Sequence, residues 1–223
     1  MQLRTVRDEE LAELSALNRA AYPDLVEDGV VFTVDQLRAH RDRFPEGQIV
    51  AVDDAGKLLG AITTFIPPAA FDPLAQHTWM GITDAGTFAR HDPHGDTLYL
   101  ADIYVDRSAW GTGVGPALYA ELFALCRRLR LANVVGGGRM YSYVDAPAEL
   151  TPREYVAQVL RGERKDRVLN SQLRAGFRVR GLLDGYLHDW RSRHWATLIV
   201  WDNPDRLQVV PGLGPVMISK CDG

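Results

Sequence analysis

An α/β domain is the fold class this sequence predicts, and three observations predict it. Residues 98–131 pass from an apolar, β-branched and aromatic run (Leu98, Tyr99, Leu100, Ile103, Tyr104, Val105) through Gly111, Gly113 and Gly115 into a helix. There Leu118, Leu122, Leu125 and Leu129 recur at spacings of three and four. Asp53-Asp54-Ala55-Gly56 joins two further apolar runs, 48–52 and 57–65, as a hairpin. The chain has 223 residues, 46% hydrophobic and 24% charged, an ordinary globular composition long enough to bury a substantial core.

Taken in order, residues 2–6 read as a short strand, and Asp8 caps a helix with acidic residues in its first turn and Leu11, Leu14 and Leu17 on its buried face. Ala20-Ala21-Tyr22-Pro23-Asp24 ends it. Thr33 or Asp35 caps a second helix running through Leu37 to about Phe44. The acidic link Asp24, Glu27 and Asp28 reads either as solvated loop charge or as an attraction for a cationic substrate. Residues 66–96 show no clear period. So long an excursion in a compact domain predicts a short helix or a substrate lid. His77, His91 and His94 lie in it, and with no register to gather the imidazoles, solvated loop histidines are favoured over a metal site.

After the glycine-led helix, residues 132–136 read as a buried strand running into Gly137, Gly138 and Arg139. Three adjacent glycines at a strand end imply close backbone approach or unusual dihedrals, against the alternative of a plain loop. Thr151-Pro-Arg-Glu154 has capping-box spacing and opens a helix that stops near Gly162. Residues 168–174 form another, ended by Gly176, and strands follow at 177–183 and 195–201. Asn203-Pro204 closes a domain over 1–205. Residues 206–223, with Pro211, Gly212, Gly214 and Pro215, read as an extension or a partner-contacting arm.

The formal net charge of -4 and pI near 5.9 give no support to nucleic-acid binding. No signal peptide and no membrane-spanning run is apparent, so the expected compartment is the cytoplasm. Cys126 and Cys221 have no metal or disulfide spacing.

A strand, a glycine-rich turn and a helix N-terminus in that order make an anion site, because consecutive backbone N–H groups point inward and the helix end adds about half a positive charge. A nucleoside-triphosphate loop would end in Gly-Lys-Ser/Thr, but Pro116 and Ala117 follow Gly115. The dinucleotide fingerprint would place a glycine where Pro116 stands and would follow a first strand rather than a central one. The third candidate is the pyrophosphate of coenzyme A. Val105-Asp-Arg-Ser-Ala-Trp-Gly-Thr-Gly-Val-Gly-Pro-Ala-Leu118 resembles, without a gap, motif A of the GNAT superfamily of N-acetyltransferases, with Trp110 where a Gln or Arg usually opens the loop. The run 99–105 is similar to the strand before that motif in polyamine-type members, with Ala101 at their glutamate position and Asp102 retained. The second half, including Gly137-Gly-Arg139, Thr151-Pro-Arg-Glu-Tyr155 and residues 170–181, resembles GNAT domains found fused to carbon–nitrogen hydrolases.

The resemblance implies a GNAT fold: a mixed, mostly antiparallel sheet with helices on both faces, its central strand splayed from the next one, and the first two helices walling the acceptor side. It also implies acetyl-CoA as co-substrate and direct attack by an amine, from a small molecule or a protein, on the thioester. A homodimer is left open. Backbone of Ile103, Tyr104 and Val105 would hold pantetheine, and Trp110, Gly111, Thr112, Gly113, Val114, Gly115 and Pro116 the pyrophosphate. Asp102 would bind or deprotonate the amine, or else be an aspartate hydrogen-bonded at a strand bulge. The family's thiolate-protonating tyrosine position is Gln172, so Tyr141, Tyr143 and Tyr186 are the candidate donors. The rival class is a GNAT-fold acyl-CoA sensor without catalysis.

Overall fold

The computed structural model describes residues 1–26 and 29–206. Glu27, Asp28 and the expected C-terminal extension from 207 onward, with Cys221, lie outside the described residues. Seven strands form one sheet in the order β1-β2-β3-β4-β5-β7-β6. They are β1 (Gln2–Thr5), β2 (Gln48–Val52), β3 (Leu58–Phe65), β4 (Thr97–Val105), β5 (Asn133–Arg139), β6 (Arg178–Leu183) and β7 (Ala196–Asp202). Every pairing is antiparallel except β4 with β5.

Helices cover both faces. On one lie α1 (Leu11–Ala21) and α2 (Val34–Arg43), with Leu11, Leu14, Phe32 and Leu37 packed on Val50, Phe65, Tyr99 and Tyr104. On the other lies α4 (Val114–Arg128), whose Leu118, Leu122 and Cys126 pack against Ile49, Ile62, Leu98 and Val134. Leu118 and Leu122 are fully buried, each contributing about 2 kcal/mol of apolar burial. A third cluster joins α5 (Pro152–Leu160) to α6 (Arg167–Ala175) through Tyr155, Val156, Val159 and Leu169. Among the described residues no helix is long and apolar enough to cross a membrane.

Local chemistry explains the helix starts. Thr33, rather than Asp35, caps α2 with Gln36 reciprocating, and Thr151 caps α5 with Glu154. Asp8 does not cap the first helix: it opens a short 3₁₀ turn, Asp8–Glu10, that precedes α1, and Glu10 pairs with Arg4. Arg4 therefore fixes the turn to β1.

A strand boundary also needed correction, whereas the long excursion holds the short helix expected as one alternative. Strand β5 continues to Arg139 rather than stopping at 136, so all three glycines are strand residues and none has a positive φ. Close approach is their cause: a Cβ on Gly136 would meet the Leu100 carbonyl at 2.9 Å, and one on Gly137 would fall inside the Tyr186 ring. Residues 66–96 hold one short helix, α3 (Trp79–Ile82), and are pinned rather than free. Trp79 is buried and its indole donates to the Ala101 carbonyl at 3.1 Å, while the His91 ring accepts from the Ile66 amide at 3.1 Å and stacks on Phe44. His77 turns inward to Tyr99, and the three histidines go to three different places.

Candidate active site

Strands β4 and β5 share parallel bonding only over Thr97–Tyr99 against Asn133–Val135. Beyond that, β4 stays with β3 and β5 stays with β7. The sheet opens where they part, and a cleft of about 670 Å³ runs through the opening. Leu100 through Val105 form one side, Gly137, Arg139 and Tyr186 the other, and Trp110, Gly111 and Gly113 through Pro116 the end nearest α4.

The glycine loop is built as an anion cradle. Gly111 and Gly113 have φ of +78° and +92°, the left-handed region that disfavours any Cβ. Curled this way, the loop delivers Val114 and Gly115 as the first residues of α4, where N–H groups have no residue a turn earlier in the helix to bond. Pro116 sits in the first turn, where its missing N–H costs nothing. Trp110, Gly111, Gly113, Val114, Gly115 and Pro116 line the cleft. Thr112 does not: its amide and hydroxyl both turn back to the Ala109 carbonyl.

A bulge in β4 decides where Asp102 points. Thr63 pairs with Asp102 and Thr64 with Leu100, so Ala101 is an extra residue. Regular alternation would put Asp102 on the face opposite Tyr99, and the bulge instead turns it toward α1. There Asn18 Nδ2 donates to Oδ2 at 2.7 Å and the Tyr22 hydroxyl donates to Oδ1 at 2.6 Å. Burial pushes the Asp102 carboxyl up to about 6, and hydrogen bonds from Tyr22, Asn18 and the Ile103 amide hold it from rising further. It still meets the cleft, so it is a carboxylate of raised basicity within reach of a ligand.

The open edge of β4 is partly taken. Side chains cover three alternate carbonyls: Trp79 Nε1 donates to that of Ala101 and Trp110 Nε1 to that of Val105 at 3.0 Å, while the Tyr22 hydroxyl, its proton directed to Asp102, lies 2.9 Å from that of Ile103. The Ile103 amide turns to the Asp102 carboxylate. Asp106 donates to Leu59 on the β3 side, and alternation puts the Tyr104 backbone on that side too. Of the three residues expected to offer backbone to a ligand, the geometry leaves the Val105 amide facing the opening.

The three candidate tyrosines separate. Tyr186 lines the cleft, its ring against Gly137, with its hydroxyl 2.9 Å from that of Tyr99. Tyr141 lines the mouth beneath a cluster of guanidinium groups, with Arg167 3.9 Å and Arg191 4.5 Å from its ring centroid. Tyr143 is outside the cleft: only 3% exposed, it donates to the Leu150 carbonyl at 2.5 Å inside the third cluster, because a 3₁₀ turn at Tyr143–Asp145 carries it toward α5.

Several site residues were not anticipated. Asn18 and Tyr22 follow Leu11 and Leu14 along one helical stripe, and a fully buried polar residue on that stripe was the available signal. Asp24 is neither solvated nor aimed at a substrate, since it pairs with Arg139 at 2.6 Å and Arg191 at 3.2 Å. Arg139 is also bidentate to buried Asp189. Burial alone would raise the Asp189 carboxyl, and hydrogen bonds from Arg139 and Ser192 overcome it and hold it low. Arg167, from the start of α6, lies 5.1 Å over Trp110 as well as over Tyr141, and among the described residues it has no carboxylate partner. Gln172 Oε1 is buried at the cleft with no hydrogen-bond partner.

Residues 11–137 match the model of the Acetyltransferase (GNAT) family. The uncharacterized N-acetyltransferase YkwB of Bacillus subtilis (strain 168) is 31% identical over 204 residues, 91% of this chain and 89% of that protein. The "Probable hydrolase YhcX" of the same organism is 32% identical over 209 residues, 93% of this chain, but the chain spans only 39% of its length. Among solved structures, the GphF GNAT-like decarboxylase in complex with isobutyryl-CoA superposes with a TM-score of 0.76 at 24% identity, covering 91% of this chain and 100% of that one. With the parted strands, the glycine loop and the matched family model in agreement, this chain belongs to the acetyltransferase (GNAT) family.

Proposed function

We propose that this protein moves an acetyl group from acetyl-CoA to an amine by direct attack in a ternary complex, using the cleft between β4 and β5. The observation that carries the reading is one continuous opening with an anion cradle at one end and a carboxylate of raised pKa at its centre. The cleft fits the co-substrate chemically. The amides of Gly113, Val114 and Gly115 suit the pyrophosphate, with Arg167 beside them supplying the charge that Trp110 lacks. The orphaned Gln172 Oε1 suits an amide N–H of the pantetheine arm, and the Val105 amide suits the thioester carbonyl, whose oxygen gains charge in the transition state.

Asp102, aligned by Asn18 and Tyr22, takes the proton of the incoming ammonium, and a group of pKa about 6 is ionised and competent for that at neutral pH. The amine nitrogen then attacks the carbonyl carbon, the C–S bond breaks, and Tyr186 supplies the proton to the departing sulfur. Burial keeps the Tyr186 phenol above its ordinary pKa and hence protonated. Tyr141, stacked under guanidinium groups, serves the mouth of the cleft. Leu25, Val30, Trp79 and Leu187 give the acceptor side an apolar wall, so the acceptor carries an apolar body next to its amine.

Free-thiol release from acetyl-CoA across a panel of small amines and peptide N-termini, with the acetylated product identified by mass, tests this. Turnover with at least one amine is expected. Tight acetyl-CoA binding with no release across the panel would favour the sensor instead. The decarboxylase name of GphF brings in a second reading, favoured by its superposition over its whole length and by Arg167, a cation without a carboxylate partner among the described residues, which a carboxyacyl group would meet. Carbon dioxide release from malonyl-CoA without any amine would select it.

A further inference from the structure

A line of three hydrogen-bonding side chains leads out of the cleft. Tyr186 at the cleft wall touches Tyr99 at 2.9 Å, and Tyr99 touches His77 Nε2 at 2.8 Å. His77 Nδ1 lies 2.8 Å from the Ala75 carbonyl. The tyrosines are buried and His77 is half-buried, so the line runs from the reacting centre toward solvent.

The donor inventory fixes its direction. A carbonyl only accepts, so Nδ1 of neutral His77 carries the hydrogen and Nε2 is left as an acceptor. Tyr99 must then donate to Nε2. Its single proton is used, so in the contact between the two hydroxyls Tyr186 donates to Tyr99. The Gly137 amide donates to the Tyr186 oxygen, which leaves that oxygen one lone pair for a ligand in the cleft that Tyr186 lines. With His77 neutral, Tyr186 is therefore an acceptor toward the substrate, the opposite of what a thiolate donor must be. With imidazolium at position 77 the Nδ1–H still donates to Ala75, but the His77–Tyr99 and Tyr99–Tyr186 bonds both reverse, and Tyr186 presents its proton to the cleft.

We infer that His77 and Tyr99 are positioning residues that set, through the state of one imidazole, whether Tyr186 shows the cleft a lone pair or a proton. This rests on the acetyl-transfer reading and supplies the proton accounting it lacked. After attack the adduct carries a positively charged N–H. That bond breaks, its proton forms an O–H bond on Tyr186, the former Tyr186 proton moves to Tyr99, and that of Tyr99 moves to His77 Nε2. The line is now reversed. When the C–S bond breaks and sulfur keeps the electron pair, Tyr186 protonates the sulfur, Tyr99 replenishes Tyr186, and His77 returns to neutral. No proton is gained or lost overall.

The surroundings suit a transient charge. Phe71, Tyr99 and Tyr186 face the imidazole ring, and both tyrosines stay protonated because burial raises them. On its own loop, Asp72 is occupied with the Leu74 amide. Burial lowers the His77 pKa from its usual 6.5, so the neutral, accepting direction is the resting one at neutral pH.

Nitrogen-15 NMR of histidine-labelled protein saturated with acetyl-CoA, assigned by loss of one signal in His77→Gln, reads the tautomer directly and needs no turnover. The Nδ1–H tautomer is expected at pH 8, and an Nε2–H tautomer overturns the inference. Kinetics with the amine that gives the fastest thiol release supply the second arm. Tyr99→Phe and His77→Ala should each lower kcat roughly tenfold or more while acetyl-CoA affinity by calorimetry stays unchanged. The dependence of kcat on deuterium fraction, bowed in the wild type, should straighten in Tyr99→Phe, and added imidazole should restore His77→Ala but not Tyr99→Phe. If Tyr186→Phe is fully active, the role of Tyr186 itself falls. If Tyr186→Phe is impaired while both other variants keep wild-type kcat and isotope behaviour, only the relay falls.

Discussion

Asp102 accepts side-chain hydrogen bonds from Asn18 and Tyr22 beside that of the Ile103 amide, and these decide what its removal should do. Asp102→Asn is expected to leave acetyl-CoA affinity unchanged and to lower turnover roughly 10²–10⁴-fold, the range for a positioned acid–base group. A loss confined to KM would mark a contact made equally in ground and transition states, whereas a loss in kcat places the carboxylate in the proton path. The pH dependence has a definite sign. The base works ionised and its pKa is raised to about 6, so kcat/KM should rise with pH and level off above about 6, and Asp102→Asn should abolish that limb. Tyr143→Phe is the control: with its hydroxyl spent on Leu150, the substitution should cost about 1 kcal/mol of stability and leave kcat alone. Asp102 was legible through the resemblance of residues 99–105 to the strand of polyamine-type members, in which it is the acidic residue that carries over. Asn18 and Tyr22 were less so, since the partner that explains them lies 84 and 80 residues away.

At the scale of elements, the loop before α4 was the most legible part of the chain, because its work is done by backbone and only glycine permits that backbone. Its glycines are nevertheless not equivalent. Substituting Gly113 would strain a left-handed residue whether or not a ligand is bound. Gly115 has ordinary φ, and a Cβ there meets only Val105 at 3.9 Å. Gly115→Asp should therefore fold, with a melting temperature at or above the wild type, since a carboxylate in a first helical turn is worth about 0.3–1 kcal/mol. The same carboxylate would face the pyrophosphate. Calorimetry should show acetyl-CoA affinity reduced by roughly a hundredfold or more, as like charges a few ångströms apart cost several kcal/mol at intermediate dielectric. Gly136 to Gly138 were ambiguous in sequence, because what fills their missing side chains is Leu100, Tyr186 and Gln172, brought there by strand parting and by α6.

Across the whole molecule, two buried groups should shape stability in acid with opposite signs. Burial lowers His40 from 6.5 to about 4, so the folded state takes up its proton less readily than the unfolded chain. The stability this provides is complete above 6.5 and is lost as pH falls toward 4. Asp102, raised from 3.8 to about 6, provides stability that is complete below 3.8 and is lost as pH rises through 6. Between pH 4 and 6 the two oppose each other, each on the order of 3 kcal/mol at most and Asp102 less, since it still meets cleft water. Urea midpoints should therefore fall more steeply from pH 6.5 to 4 in Asp102→Asn than in the wild type. The mixed, mostly antiparallel sheet and the helices on both faces could be read from periodicity and the GNAT resemblance together. The closed arrangement of Arg139, Asp24, Asp189 and Arg191 at the mouth could not, because it joins three distant parts of the chain, the link after α1, the end of β5 and the loop between β6 and β7. All of these features converge on one claim, that the parted strands hold acetyl-CoA with its thioester beside Asp102. A crystal structure with acetyl-CoA tests it most directly: the pyrophosphate is expected on the amides of Gly113, Val114 and Gly115 and the thioester oxygen within hydrogen-bonding distance of the Val105 amide, whereas a cofactor bound elsewhere, or with its thioester away from Asp102 and Tyr186, would contradict it.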